Sequence, residues 1–201
     1  MEMSLKQKVA QKIKRFPKGY IFFPGDFPGV DYVALKIILS RLVKDGEIVR
    51  LGNGIYLNPK RDPEIGILYP GMDEVAKAIA RRDQVEIKPS GEQTINNVGL
   101  STQVPINTVY ITNGTSKTIN IGKNKIVFKG KANKKLKYGT GKIGSIITAI
   151  ESIGPKSITD KESNLLLSLL DAEPIDKVKK AAVKAPKWIN NLILQHLKNT
   201  A

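Results

Sequence analysis

The residues with the most legible chemistry in this chain are cationic and polar, and they gather on one helix and the hairpin after it. In the stretch DYVALKIILSRLVKDGEIVRLGNGIYL, residues 31–57, Lys36, Ser40 and Lys44 recur at a spacing of four and so share one polar face of a helix, with Tyr32 and Arg41 at its margins. Arg50 and the turn Gly52-Asn53-Gly54 follow directly. Amine and hydroxyl groups on an exposed helix face match the donor and acceptor edges of bases in a DNA major groove, whereas basic groups beside them meet phosphates. Tyr32, Lys36 and Ser40 are therefore expected to face base edges, and Arg41, Lys44, Arg50 and Asn53 to hold the backbone of the duplex. An ordinary surface hairpin is the other reading of Arg50 and Asn53.

Covalent and metal chemistry find little material here. The chain has no cysteine, which excludes a thiol nucleophile, a disulfide framework and a cysteine zinc site. Its single histidine, His196, falls in the last helical run near Ile193, Leu194 and Leu197 and reads as a structural or surface residue. A serine triad and a multi-histidine metal site are excluded by count. Gly139-Thr140-Gly141-Lys142-Ile143-Gly144 matches GxGxxG and opens a helix, a geometry that receives phosphates. The preceding Lys134-Lys135-Leu136-Lys137-Tyr138 is no buried strand, so a flexible turn and helix start is the better account. Asp73 with Glu74, and Asp160 with Glu162, sit at helix starts, where acids complement the helix dipole. No enzymatic activity, cofactor or metal is expected.

The elements that must position the cationic residues are also readable. Leu35, Ile38, Leu39 and Leu42 fall on one stripe, which predicts an amphipathic helix capped by Asp31 and ended by a left-handed Gly46. Two β-rich runs, 47–51 and 55–57, joined by Gly52-Asn53-Gly54, predict a hairpin that packs on this helix, because a lone hairpin is marginal in water. Upstream, residues 4–16 predict a first helix with Leu5, Val9 and Ile13 inward and a lysine face that is either solvated or basic by design. Residues 20–23 predict a third strand, and 26–30 a turn of helix. This is the order of a winged helix-turn-helix module over residues 1–61. Its first sixty residues carry eleven basic and five acidic groups, a net +6.

Asn58-Pro59-Lys60-Arg61-Asp62-Pro63 reads as a boundary, and residues 64–201 as a second, α+β domain. Helices are predicted over 72–82 and 93–100. A brief strand at 84–88 and strands at 107–112, 117–121 and 125–128 predict a small antiparallel sheet with Asn113-Gly114 as a turn. A helical C-terminus follows, at 143–153, 159–170, 175–183 and 186–197. Charge is uneven: nine lysines and no acid lie between Lys117 and Lys142, including Lys123, Lys125, Lys129, Lys131, Lys134, Lys135 and Lys137. Such a block is a phosphate-binding or acidic-partner surface, or a solvated loop. With +15 net over 201 residues, polyanionic partners are favoured. The N-terminus MEMSLKQKVAQ has no apolar signal region and no run approaches about 18 apolar residues, so a cytoplasmic protein without membrane attachment is expected.

Residues 39–56, LSRLVKDGEIVRLGNGIY, resemble the N-terminal module of the AbiEi-type antitoxins in their LSRL run, Gly46, Arg50 and Gly54-Ile55-Tyr56. Pro89-Ser90-Gly91-Glu92, Gly99 to Pro105, Val109 to Gly114, Ile126 to Lys129 and Ala185-Pro186-Lys187-Trp188 are similar to the second domain of that family. The chain departs from the commoner form in lacking a long basic second helix before Asp31. The resemblance implies a bacterial antitoxin of a type IV toxin–antitoxin system associated with abortive infection. Its winged helix would bind repeats in its own promoter and repress the operon. Its C-terminal domain would neutralise a cognate nucleotidyltransferase-like toxin, with which it need not form a stable complex. Two other readings of the residues stay open. One is a winged-helix regulator without a toxin, its second domain serving dimerisation or ligand sensing. The other is a nucleic-acid enzyme or RNA-binding accessory.

Overall fold

Residues 3–100, 107–130, 138–139 and 141–199 are described by the computed structural model. Among them the chain is a mixed α+β protein with eight α-helices, one 3-10 turn and three small sheets. No helix among the described residues is long and apolar enough to cross a membrane. The chain divides into two compact units: residues up to Asp83 together with Ile119–Asn124, and Gln84–Thr118 together with Lys125 onward.

Helix α1 (Leu5–Arg15) starts on a capping box, in which the Ser4 hydroxyl accepts from the Gln7 N–H at 3.3 Å and the Gln7 side chain accepts from the Ser4 N–H at 2.8 Å. It buries Val9 and Ile13. Strand β1 (Ile21–Phe22), a 3-10 turn (Pro24–Asp26), helix α2 (Tyr32–Lys44) and strands β2 (Val49–Gly52) and β3 (Ile55–Leu57) follow. Asp31 caps α2 by accepting from the Ala34 N–H at 2.9 Å, and Gly46, at φ 72°, ends it. The expected stripe is the buried one: Leu35, Ile38, Leu39 and Leu42. The sheet order is β1-β3-β2, antiparallel throughout, so β3 is flanked on both sides. Phe22, fully buried, stacks on Tyr56 at 5.7 Å and meets Phe16 and Phe27, which ties helix, turn and sheet into one core.

The expected boundary at 58–63 is not a linker. Asn58 and Pro59 are buried, and strand β4 (Lys60–Asp62) pairs antiparallel with β5 (Gly66–Leu68). Asn58 extends the β1–β3 ladder through its main chain, to Tyr20 O at 2.9 Å and from Gly19 N–H at 2.7 Å. Its side-chain amide donates to Phe16 O at 2.8 Å and Pro17 O at 3.2 Å, occupying carbonyls that the end of α1 leaves open. Asn58→Ala should therefore cost about 1–3 kcal/mol, the penalty for stranding buried polar groups, read as a lower urea midpoint of the full chain.

Helix α3 (Met72–Asp83) also belongs to the first unit, which thus reaches well past residue 61. Val75, Ala76 and Ile79 are buried. The Arg81 guanidinium donates to Ile21 O at 3.1 Å and lies 4.8 Å from the centre of the Tyr20 ring, while Arg82 lies 4.8 Å over Phe23.

The second unit contains β6 (Ile87–Pro89), α4 (Gly91–Asn97), β7 (Asn107–Thr112), the start of β8 (Lys117–Ile121), whose residues 119–121 belong to the first unit, and all but the first residue of β9 (Asn124–Gly130). The helices α5 (Lys142–Ile153), α6 (Asp160–Ser168), α7 (Ile175–Ala182) and α8 (Lys187–Asn199) complete it. The strand order is β6-β7-β9-β8, and β7 runs parallel to β9, with Val109 opposite Val127. The sheet is therefore mixed rather than antiparallel. Asn113-Gly114, a sequence that reads as a hairpin turn, instead begins a crossover that carries the chain past the end of β9 to the edge. Gly130 makes the crossing possible: its N–H donates to the Ser116 hydroxyl at 2.9 Å, and a Cβ there would lie 2.5 Å from Gly114 O and 3.0 Å from Ser116 N.

Ile146, Ile147 and Ile150 of α5 pack with Leu166, Val178, Ile189 and Ile193 into the helical core. Helix α6 opens on a capping box in which the Glu162 carboxylate accepts from the Thr159 N–H at 2.9 Å and hydroxyl at 2.8 Å. Those bonds, the backbone one first, hold the Glu162 pKa below its ordinary value. The cap thus stabilises the fold at neutral pH and is lost as pH falls through that depressed value. Glu162→Gln should flatten the acid side of the stability–pH curve.

Candidate nucleic-acid interface

With its apolar stripe turned inward, α2 must present the residues one-third of a turn away to solvent. Tyr32 is 65% exposed, and Lys36, Ser40, Arg41 and Lys44 are exposed with it. Two apolar residues share this face, Val33 and Ile37 at 63% and 49% exposure.

Between α2 and the β2–β3 turn lies a groove of about 150 Å³. Tyr32, Lys36 and Ser40 line it from the helix, Arg50, Asn53, Gly54 and Tyr56 from the hairpin, and Leu39 and Val43 form part of its floor. Five of the seven residues singled out by type and spacing converge here. Arg41 and Lys44 do not line it: they are exposed on the same helix outside the groove.

The hairpin holds its own cation in place. Arg50 Nε donates to Gly52 O at 3.3 Å and its Nη2 donates to Asn53 Oδ1 at 3.2 Å. The guanidinium has five N–H groups, so two bonds to the turn leave donors for an anion in the groove. Asn53 accordingly acts first on Arg50, with its amide nitrogen still a donor. Among the described residues, no acid lines the groove. Two cations, two phenols, a hydroxyl and an amide around an acid-free concavity suit a ligand with anionic oxygens and heteroaromatic edges.

Tyr56 is the residue that pattern reading missed. It is buried, and burial raises its pKa; the nearby Arg50 charge works in the opposite direction, and Tyr32 adds to the rise. Its phenol therefore keeps its proton and remains a donor. The only signal in the sequence was its alternation with Ile55 and Leu57, and all three are buried.

The lysine block divides. Lys123, Lys125 and Lys129 are exposed; the latter two share one face of β9, while Ile126 and Phe128 between and beside them are buried. Lys117 lies 5.3 Å over the Phe128 ring. Lys131, Lys134, Lys135 and Lys137 lie outside the described residues. In the first unit, Gly122 of the segment 119–124 donates its N–H to Leu51 O at 3.3 Å.

Two other motifs take structural roles. Gly144, the last glycine of the GxGxxG run, faces Tyr138 O and Gly139 O so closely that a Cβ would lie 2.7 Å from the former. His196 Nε2 lies 2.7 Å from Asp171 Oδ1, joining α8 to the turn after α6.

A family model described as a family of unknown function (DUF6088) matches residues 8–178. The chain belongs to that family. No curated protein matches it.

Proposed function

We propose that this protein is a sequence-specific DNA-binding regulator whose N-terminal unit is a winged helix. The observation that carries the reading is the convergence of Tyr32, Lys36, Ser40, Arg50 and Asn53 on one acid-free groove between an exposed helix face and a hairpin turn. The element order α1, β1, 3-10 turn, α2, β2, β3 supports it, as does β1 pairing with β3, which anchors the hairpin beside the helix. In this reading α2 enters the major groove, with Lys36 and Ser40 at base edges, Tyr32 at its leading end and Arg50 on phosphate. Lys44 and Arg41 meet the backbone outside the groove.

The resemblance to the AbiEi-type antitoxins extends the proposal. The DNA is the chain's own promoter, the setting is the bacterial cytoplasm, and the second unit opposes a nucleotidyltransferase-like toxin without needing a stable complex with it. The test is a gel shift of the full chain on the DNA upstream of its gene. A band that survives excess unrelated duplex and weakens linearly in log affinity against log salt is expected. A shift erased equally by any duplex would leave only a nonspecific polycation. Rescue of growth when the chain is co-expressed with a neighbouring nucleotidyltransferase would support the antitoxin half, and failure of rescue would leave a regulator alone.

A further inference from the structure

The first unit has a second concavity, which shares no lining residue with the α2–hairpin groove. It measures about 530 Å³, within the range of about 300–1,000 Å³ typical of small-molecule sites. Its floor is apolar, with Ala10 and Ile13 from α1, Leu42 from α2, and Ile48. Its rim carries Lys14, Lys18, Lys60 and Arg61 against a single acid, Glu47.

The rim is partly built rather than merely solvated. Lys18 Nζ donates to the Oδ1 of Asn58, a residue only 2% exposed, at 3.3 Å. Arg61 Nη2 donates to Gly46 O, at the end of α2, at 2.7 Å. Each bond uses part of a cation's donor set and fixes where the rest points. An apolar floor beneath a rim of four cations selects a ligand with both properties. Inorganic phosphate would leave the floor hydrated, and a neutral hydrocarbon would leave the rim without a counter-charge. A carboxylate also matches the two-pronged geometry of a guanidinium.

We propose that this cavity binds a small amphiphilic carboxylate, its apolar body over Ile13, Leu42 and Ile48 and its carboxylate at Arg61 and the rim lysines. The assignment stands independently of DNA binding. Where DNA binding holds as well, the site is an effector pocket, since α2 walls both concavities, Leu42 here and Leu39 and Val43 in the groove.

The test uses the isotope-labelled full chain titrated with decanoate, decanol and decyltrimethylammonium, followed by amide shifts. Decanoate should bind saturably, shift Ile13, Leu42 and Ile48, and bind at least tenfold tighter than decanol. Lys60→Gln with Arg61→Gln should weaken it at least tenfold, whereas Lys156→Gln with Lys161→Gln, exposed lysines elsewhere, should not. Ala10→Leu, which fills the floor, should abolish binding while the rest of the spectrum is retained. Equal affinity for decanol, unsaturable shifts spread over all basic surfaces, or equal weakening by the Lys156 and Lys161 variant would overturn the proposal. Occupation by a glutamate-rich peptide but not by decanoate would overturn it too.

Discussion

Gly91→Ala is expected to destabilise the second unit by about 1–3 kcal/mol or more, the usual cost of forcing an added carbon into a packed contact. Gly91 opens α4 and is buried where that helix meets α5. A Cβ built there would lie 2.8 Å from Thr148 O and 2.7 Å from the Ser152 Cβ, and closer still to the Ser152 hydroxyl. The hydroxyl can rotate away, but the carbonyl belongs to the backbone of α5 and accepts from the Ser152 hydroxyl at 2.8 Å. α4 cannot easily retreat, because its start is fixed by Ser90, whose hydroxyl accepts from the Gln93 N–H at 3.2 Å. Thermal unfolding of the full chain should show a fall of about 4 °C or more in the transition of this unit. Adding Ser152→Gly should restore part of the loss and not all of it, since the Thr148 carbonyl remains in the way. An unchanged transition in Gly91→Ala would mean that α4 and α5 can part at this contact at little cost.

What the sequence disclosed follows from how local each signal is. Helix α2 was readable because its apolar spacing, its aspartate cap and its left-handed Gly46 all lie within sixteen residues and point to the same helix. Residues 58–62 misled because proline and polar residues are turn formers in isolation, whereas here Asn58 is placed by the Phe16 and Pro17 carbonyls just after α1, more than forty positions away. The parallel β7–β9 pairing was hidden for a similar reason. Asn113-Gly114 has the chemistry of a hairpin turn, and only the close passage beside Gly130 shows that it crosses over instead. In the groove, helical spacing sufficed to find Tyr32, Lys36 and Ser40, and turn chemistry to find Asn53. The same spacing set Arg41 apart, because five residues at about 100° each carry it roughly 140° round the helix from Lys36, but it did not show how far the groove reaches. Nor could it find Tyr56, whose place depends on β3 being the central strand.

Arg50→Ala and Lys36→Ala should then differ in kind, and that difference is the strongest test of the proposed DNA surface. Arg50 is held at the hairpin turn by Gly52 O and Asn53, where it can neutralise a phosphate but is braced away from free rotation. Its loss should weaken every duplex alike and flatten the slope of log affinity against log salt by about 0.9, one phosphate contact. Asn53→Ala keeps the charge and removes one of its two braces, so it should weaken binding less and leave the slope unchanged. Lys36 stands on the exposed face of α2 between Tyr32 and Ser40, where a bond to a base edge is worth about 1–3 kcal/mol of discrimination. Its removal should compress the preference for the operator over mismatched sites by roughly tenfold or more, with less effect on nonspecific binding. The exposed methyls of Val33 and Ile37 on the same face would then dominate what preference is left, through thymine methyl groups. Quantitative binding at several salt concentrations, on the operator and on single-mismatch duplexes, separates these outcomes. Unchanged affinity of Arg50→Ala at every salt would take the hairpin off the DNA. Unchanged base preference in Lys36→Ala would move recognition away from this face of α2.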